Sequence, residues 1–462
     1  MKWATASDRI GVAKLQSNRG MAVARRKCIG IRETLTSLLP RADIERLAME
    51  TGMVQRQRKV DACAMVWALV LGFGTGRERT LAGLRRAYQG VTGQSLVPSS
   101  FYDRFTVELT RLLRALVKEL LGRLARTGSK VDGALSMFED VLAADATVVK
   151  LHRLLAGKYP GTRSNSSPAA AKLHLVMSVK DGGAQTVKVT GERASDHRTL
   201  RMGPWVRGRL LMFDLGFFRY QLFDCIDRNG GYFLTRLQSG ANPKIVATHR
   251  RWRGRSIDLE GVRLSEVADR LQREVLDVEV EVAFKRRVYS GIRRTARRTM
   301  RLVGVRLPGS REYRFYLTNV GPEEMCAEDV ARAYAARWQI ELIFKELKSH
   351  YRLDQLPSSK AHIVEALLLS AVITLLVSRR LLAAVREKLR RERKRVPEQR
   401  WAAVFAAAAS EILSIVVLAR RHAKAVASRL EPMLLHEAAD PNRNRKLLLE
   451  RIDSRCVWAA IQ

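Results

Sequence analysis

Acidic side chains are scarce in this chain. Of 462 residues, 46 are Asp or Glu against 83 Lys or Arg, a formal net charge of +37. Such an excess points to a polyanionic partner, usually nucleic acid, with an anionic membrane as the competing reading. Cysteine is sparse too: Cys28, Cys63, Cys225, Cys326 and Cys456 stand far apart with no C-x-x-C pair. That excludes a disulfide framework or zinc ribbon and fits a reducing cytosol. Long apolar runs are also missing. The longest, Ala366 to Val377, is interrupted by Ser370 and Thr374 and closely follows His362 and Glu365. It falls short of the roughly 18 to 20 residues that span a bilayer, so a buried helix is expected and no membrane association. The opening residues, MKWATASDRIGVAKLQSNRG, contain no apolar core, so no secretory signal is expected. No G-x-x-x-x-G-K-[ST] loop occurs, so no nucleotide cofactor is expected. No sequence repeat of fixed period is present.

What is present is a chain that is 47% hydrophobic and 28% charged, which excludes wholesale disorder. Its length suggests two to four domains. Residues 1–30 read as a basic, mobile arm. Residues 31–135 carry helical periodicity. Within them Thr80 to Leu84 reads as a short helix, Gly90 and Gly93 as breaks, and Val97 to Arg104 as the start of another helix. That order is compatible with a DNA-reading helix-turn-helix presenting Ser100 and Arg104, and equally with a plain helical hairpin. At Glu139 the pattern changes to strands: Val141–Val149, Lys172–Val179, Thr186–Thr190, Arg209–Asp214 and Tyr232–Arg236, with a helix from about Phe217 to Arg228. Three strands followed by alternating strand and helix predict a mixed α/β sheet flanked by helices. Residues 241–320 read as a β-rich insertion and 359–462 as a helical C-terminal region, including the basic cluster Arg390 to Arg395.

The segment with most chemical content is Tyr334-Ala-Ala-Arg337-Trp338-Gln-Ile-Glu341-Leu-Ile-Phe-Lys345-Glu346-Leu-Lys348. On one continuous helix from Ala327 to His350, Tyr334, Arg337, Glu341 and Lys348 fall within roughly a 60° arc. Ala336, Ile340, Ile343 and Leu347 form an apolar stripe suited to packing on a sheet. A solvated face with an Arg337–Glu341 ion pair explains the same spacing. Trp338 beside it is expected to pack against the sheet. Two more carboxylates, Asp145 and Asp214, sit at or near strand ends, where each alone reads as a cap or turn residue. Three such groups brought together would repel one another unless a cation lay between them. All-oxygen donors select Mg²⁺ or Mn²⁺. A pair of such ions supports in-line phosphoryl displacement.

Asp145 in LAADATVVKL, Asp214 before Leu-Gly-Phe, and Tyr334/Arg337/Glu341/Lys348 together resemble the DDE transposases of bacterial insertion sequences. The likeness is greatest to the IS-four type group with a Y-x2-R-x3-E-x6-K signature, and the spacing here fits it throughout. Lys172-Leu173-His174 and Asn229-Gly230-Gly231-Tyr232-Phe233 belong to the same likeness, which covers roughly residues 139–350.

The resemblance implies a ribonuclease-H-like core, residues 136–240 and 321–358, interrupted by the β-rich insertion. It also implies that Asp145, Asp214 and Glu341 ligate two Mg²⁺ ions, with Mn²⁺ as substitute, while Tyr334, Arg337 and Lys348 hold phosphates of the element's ends. Cleavage, a hairpin at the end, and joining of the 3′-hydroxyl to target DNA would follow. A flipped base would stack on an aromatic ring in the insertion, where no tryptophan occurs and Tyr313 and Tyr316 are the nearest candidates. Further DNA contacts are expected from Arg286, Arg287, Arg293, Arg294, Arg297 and Arg298. The partners implied are double-stranded DNA and a second copy of the chain, a homodimer on DNA, in the bacterial cytoplasm. Two rivals share these residues in whole or part: a metal-dependent nuclease that cuts without joining, and a non-enzymatic DNA-binding relative that represses transposition.

Overall fold

The computed structural model describes residues 29–55, 60–78, 80–125, 135–162, 167–179, 183–249, 251–252, 255–256, 258–286, 294–306, 312–356, 358–390 and 392–442. Residues 1–28 of the arm expected over 1–30, with Arg287 and Arg293, lie outside them, whereas Ile29 is buried and held by Glu431. The chain opens with helices α1 (Ile31–Leu38), α2 (Arg41–Glu50), α3 (Ala62–Ala68), α4 (Leu81–Thr92), α5 (Pro98–Tyr102) and α6 (Val107–Ala125). Then come β1 (Asp140–Lys150), β2 (Ala170–Ser178), β3 (Ala184–Gly191), α7 (Asp196–Thr199), β4 (Arg209–Phe213), α8 (Tyr220–Arg228) and β5 (Tyr232–Arg236). The next block holds β6 (Lys244–Thr248), β7 (Arg251–Trp252), β8 (Arg255–Ser256), α9 (Leu264–Ala268), β9 (Val275–Lys285), β10 (Thr295–Arg306) and β11 (Tyr313–Thr318). Helices α10 (Ala327–Ala335), α11 (Trp338–Ser349), α12 (Ala361–Arg390), α13 (Glu398–Ala407), α14 (Ala409–Val417) and α15 (Arg420–Ala438) complete it.

The described residues form two compact units, one from those between 29 and 123 and between 345 and 442, the other from those between 124 and 344. In the second, nine strands form one sheet in the order β3-β2-β1-β4-β5-β11-β10-β9-β6. Strand β1 runs parallel to β4, and β4 to β5; the other pairings are antiparallel. The half β3-β2-β1-β4-β5 is the mixed sheet that the order of strands and helices predicts. The β-rich block does not stand apart: β11, β10, β9 and β6 continue the same sheet beyond β5. Strands β1 and β2 are buried over continuous stretches rather than at alternate positions, as strands covered on both faces are. Phe213, Phe217, Phe223 and Phe233 anchor one side, with Phe223 and Phe233 stacked at 4.6 Å. Asp224, 1% exposed, joins Arg298 on β10 to Arg228 on α8.

In the first unit α12 is the central rod. Its most apolar stretch is 89% buried, as the core-helix reading expects, although by length and composition it could cross a membrane. Thr374 on α12 donates to the Val70 carbonyl at 2.6 Å, in a π-helical turn, Leu69–Phe73. Gly74 ends that turn because a Cβ there would collide with Thr374 Oγ1. Glu431 on α15, 4% exposed, accepts from the amides of Ile29 (2.6 Å) and Ile31 (2.9 Å) at the start of α1. A carboxylate from the far end of the sequence thereby caps an early helix whose own N-cap, Gly30, has no side chain. Helix α4 runs to Thr92 through Gly90, so only Gly93, in the left-handed region at φ 69°, acts as the expected break.

Candidate active site

The sheet's own register builds the first half of the site. Ala144 on β1 pairs with Phe213 on β4 in parallel register. Asp145, the next residue within β1, and Asp214, the first residue after β4, therefore lie side by side on adjacent chain segments, at a strand spacing of about 4.8 Å. This is the carboxyl end of the parallel strands, where open α/β sheets place their ligands.

The helix region supplies the rest, with a correction. The expected continuous helix is two helices, α10 and α11, separated at Ala336 and Arg337. Across the break the amides bond three residues back: Arg337 to Tyr334 O (3.0 Å), Gln339 to Ala336 O (3.1 Å) and Ile340 to Arg337 O (3.1 Å). In such a 3₁₀ turn residues i and i+3 eclipse. Arg337 accordingly lies over the Tyr334 ring, 5.7 Å from its centroid. The apolar stripe Ala336, Ile340, Ile343 and Leu347 is buried as the periodicity predicts. Trp338 is on the other side and 55% exposed, not packed against the sheet.

The Arg337 guanidinium sits between two carboxylates, 2.5 Å from Glu341 Oε1 and 3.7 Å from Asp145 Oδ2. Burial pushes the Asp145 carboxyl up to about 6; the Ala146 amide (2.7 Å) and Arg337 oppose this, and Asp214 and Glu341 add to it. The Asp145 carboxyl thus feels both of the others. Among the described residues, however, no three His, Cys, Asp or Glu side chains are gathered as a ready-made metal site. The Tyr334 hydroxyl donates to the Phe213 carbonyl at 3.1 Å, and burial pushes it up to about 12. Lys348 is half-buried on the part of α11 that belongs to the first unit.

Of the other expected contact residues, Arg286 and Arg294 are exposed where β9 turns into β10. Arg297 is exposed, whereas Arg298 is engaged by buried Asp224 at 2.6 Å. Tyr313 bonds the Arg273 carbonyl and stacks on Phe315. Tyr316 is 6% exposed and lies 5.3 Å from Tyr334, so it is not an open platform for a base. Ser100 and Arg104 are half-buried in the first unit, on and just after the short α5. Two residues were missed. Arg236 pairs in register with Tyr316, and Arg314 stands two positions before Tyr316 on β11. Both are exposed and both act on the Tyr316 hydroxyl, while Arg236 also acts on Tyr334. The signal was available: Arg236 ends β5 much as Asp214 follows β4.

The family described as the transposase DDE domain matches residues 136–377, more than half of the chain. The chain belongs to that family. The transposase for insertion sequence element IS231B of Bacillus thuringiensis subsp. berliner is 21% identical over 406 residues, covering 79% of this chain and 82% of its own length. That for IS1151 of Clostridium perfringens is 20% identical over 364 residues, covering 73% and 77%. A piggyBac transposase synaptic complex with hairpin DNA aligns with TM-score 0.46 and 8% identity over 87% of this chain and 85% of its own; a likeness that loose assigns no residue a role.

In this DDE-domain chain the Lys172-Leu173-His174 segment has a structural part. His174 on β2 meets Thr190 Oγ1 (2.8 Å) and Thr199 Oγ1 (3.3 Å), and Lys172 holds Asp196 at 3.1 Å. The strand thus ties down the segment that leads toward β4. Burial pulls the His174 imidazole from 6.5 to about 4; Asp196 opposes this, while Lys172 and Lys188 add to it. The unfolded chain takes up this proton first, so stability is lost as pH falls from 6.5 toward 4, by about 3 kcal/mol over that range. Urea unfolding at pH 7 and pH 4.5 should show wild type losing about 2 kcal/mol more than His174→Gln. Equal losses would exclude this histidine as the cause.

Proposed function

We propose that the protein is a cut-and-paste DNA transposase whose reacting centre is Asp145, Asp214 and Glu341. The observation that carries this reading is the parallel register of β1 and β4, which sets two aspartates side by side where Glu341 also acts on Asp145. Three carboxylates offer only hard oxygen donors, which suits Mg²⁺ or Mn²⁺. The Arg337 guanidinium between Asp145 and Glu341 supports the fit: the site already needs positive charge there. Asp145, Asp214 and Glu341 would hold two such ions, which when bound would activate an attacking oxygen and stabilise a leaving one. For the carboxylates to do so, Arg337 must exchange Asp145 and Glu341 for another anion, and a DNA phosphate matches its fork of donors. Tyr334, Arg236 and Arg314 would hold the same strand, and Lys348 a phosphate further along. Trp338, the exposed aromatic next to Arg337, is better placed than Tyr313 or Tyr316 to stack a displaced base in a hairpin route, worth roughly 1–3 kcal/mol.

The helices of residues 31–135 and the exposed arginines Arg286, Arg294 and Arg297 would grip the element's ends, in a homodimer acting on bacterial DNA in the cytoplasm. The test is to incubate the protein and Mg²⁺ with a labelled duplex carrying the inverted repeats that flank the gene, plus unlabelled target. Cut ends joined to target are expected. Cutting without joining would reduce the reading to a nuclease, and binding alone would leave a repressor.

A further inference from the structure

Arg393, in the turn between α12 and α13, has φ 52°, a left-handed conformation that favours glycine. The amides of Arg393 and Lys394 close α12 by bonding Arg390 O (3.0 Å) and Leu389 O (3.1 Å). Non-glycine residues persist in this conformation where the surroundings fix them, and such strain concentrates at functional positions. Here the surroundings are a cavity of about 240 Å³ lined by Arg393, Lys394, Arg395, Arg400, His436 and Asp440. Arg400 comes from α13 and His436 from α15, and the Asp440 amide bonds Arg395 O at 2.8 Å, linking the two segments. Three carboxylates face the four cations: Glu392 holds Lys394 at 2.8 Å, Glu437 lies 3.9 Å from Arg400 and 3.4 Å from His436, and Asp440 accepts from the Asn442 amide. The balance is positive, and Arg393 has no ion-pair partner among the described residues.

We infer that this cavity is a phosphate-binding site for the DNA backbone, in the first unit and separate from the carboxylates of the second. Guanidinium groups converging from different elements match the oxygens of a phosphodiester. Lys388 and Arg390 lie in the last turn of α12, which leads into this segment, with Arg390 paired to Glu387 at 3.1 Å. The inference rests on the DNA-acting reading above.

Arg393→Gly separates binding from folding, because glycine suits the left-handed turn better than arginine does. Its melting temperature should equal or exceed that of wild type. Its affinity for a labelled duplex should fall roughly tenfold, and the slope of log affinity against log salt should become shallower by about 0.9. Arg400→Ala should lose affinity in the same way. Wild-type affinity and slope in both variants would overturn the inference while leaving the transposase reading intact. So would inorganic phosphate raising the melting temperature of wild type alone while duplex binding stays equal, since the cavity would then take a small anion. A wild type that neither binds nor cuts a duplex bearing its terminal repeats would overturn both.

Discussion

The substitution Asp214→Asn should leave a folded, DNA-binding protein that cuts at least about 10³-fold more slowly than wild type. The side chain does little for the fold: it begins the 3₁₀ turn Leu215–Phe217 without capping it. It pushes up the Asp145 carboxyl, a repulsion partly offset by its attraction for the Arg337 guanidinium. A neutral amide at this position would remove that repulsion, so the melting temperature should hold or rise while cleavage collapses. Opposite signs for stability and activity are what a residue kept for chemistry produces. A merely structural aspartate would lose both together. Mg²⁺-dependent cleavage at near wild-type rate in this variant would remove Asp214 from the reacting centre.

The strand half of the site was legible because strand ends can be read from local composition. The apolar runs 141–149 and 209–213 each carry or precede one aspartate, and parallel pairing of the two runs does the rest. The helix half was legible only in outline. Nothing in Tyr-Ala-Ala-Arg-Trp marks a break, since neither glycine nor proline occurs there. The 3₁₀ tightening that brings Arg337 over Tyr334 depends on how the flanking helices pack. Trp338 was misplaced for the same reason: its hydrophobicity suggests burial, but Ile340 and Ile343 already occupy the inward side. Least legible was the assembly of early and late helices into one unit. Amphipathic periodicity shows that α1 and α15 each have a face to bury, not that Glu431 will meet the amides of Ile29 and Ile31. The continuation of the sheet through β11, β10, β9 and β6 was hidden likewise, because pairing partners cannot be read from a single strand.

The largest stability effect should come from Arg301, 4% exposed on β10. Its guanidinium holds Asp277 on β9 through two bonds of 2.8 and 2.7 Å and donates to the carbonyls of Val320 (3.1 Å), Gly321 (2.9 Å) and Met325 (2.7 Å). This buried guanidinium fixes the loop that enters α10, and so the approach of Tyr334 and Arg337 to the strand ends. Arg301→Met should therefore cost about 3–5 kcal/mol, because the Asp277 carboxylate, 5% exposed, is left buried without a counter-charge. That is a large share of a typical total stability of about 5–15 kcal/mol. Adding Asp277→Leu should recover part of the loss by removing the stranded charge. Recovery should stay incomplete, since three loop carbonyls still lack their donor. Urea unfolding of the four members of this cycle measures both terms. A single-variant cost below about 1 kcal/mol would place the pair among weakly contributing surface bridges, and full recovery in the double variant would mean that the carbonyl contacts contribute nothing to holding α10 in place.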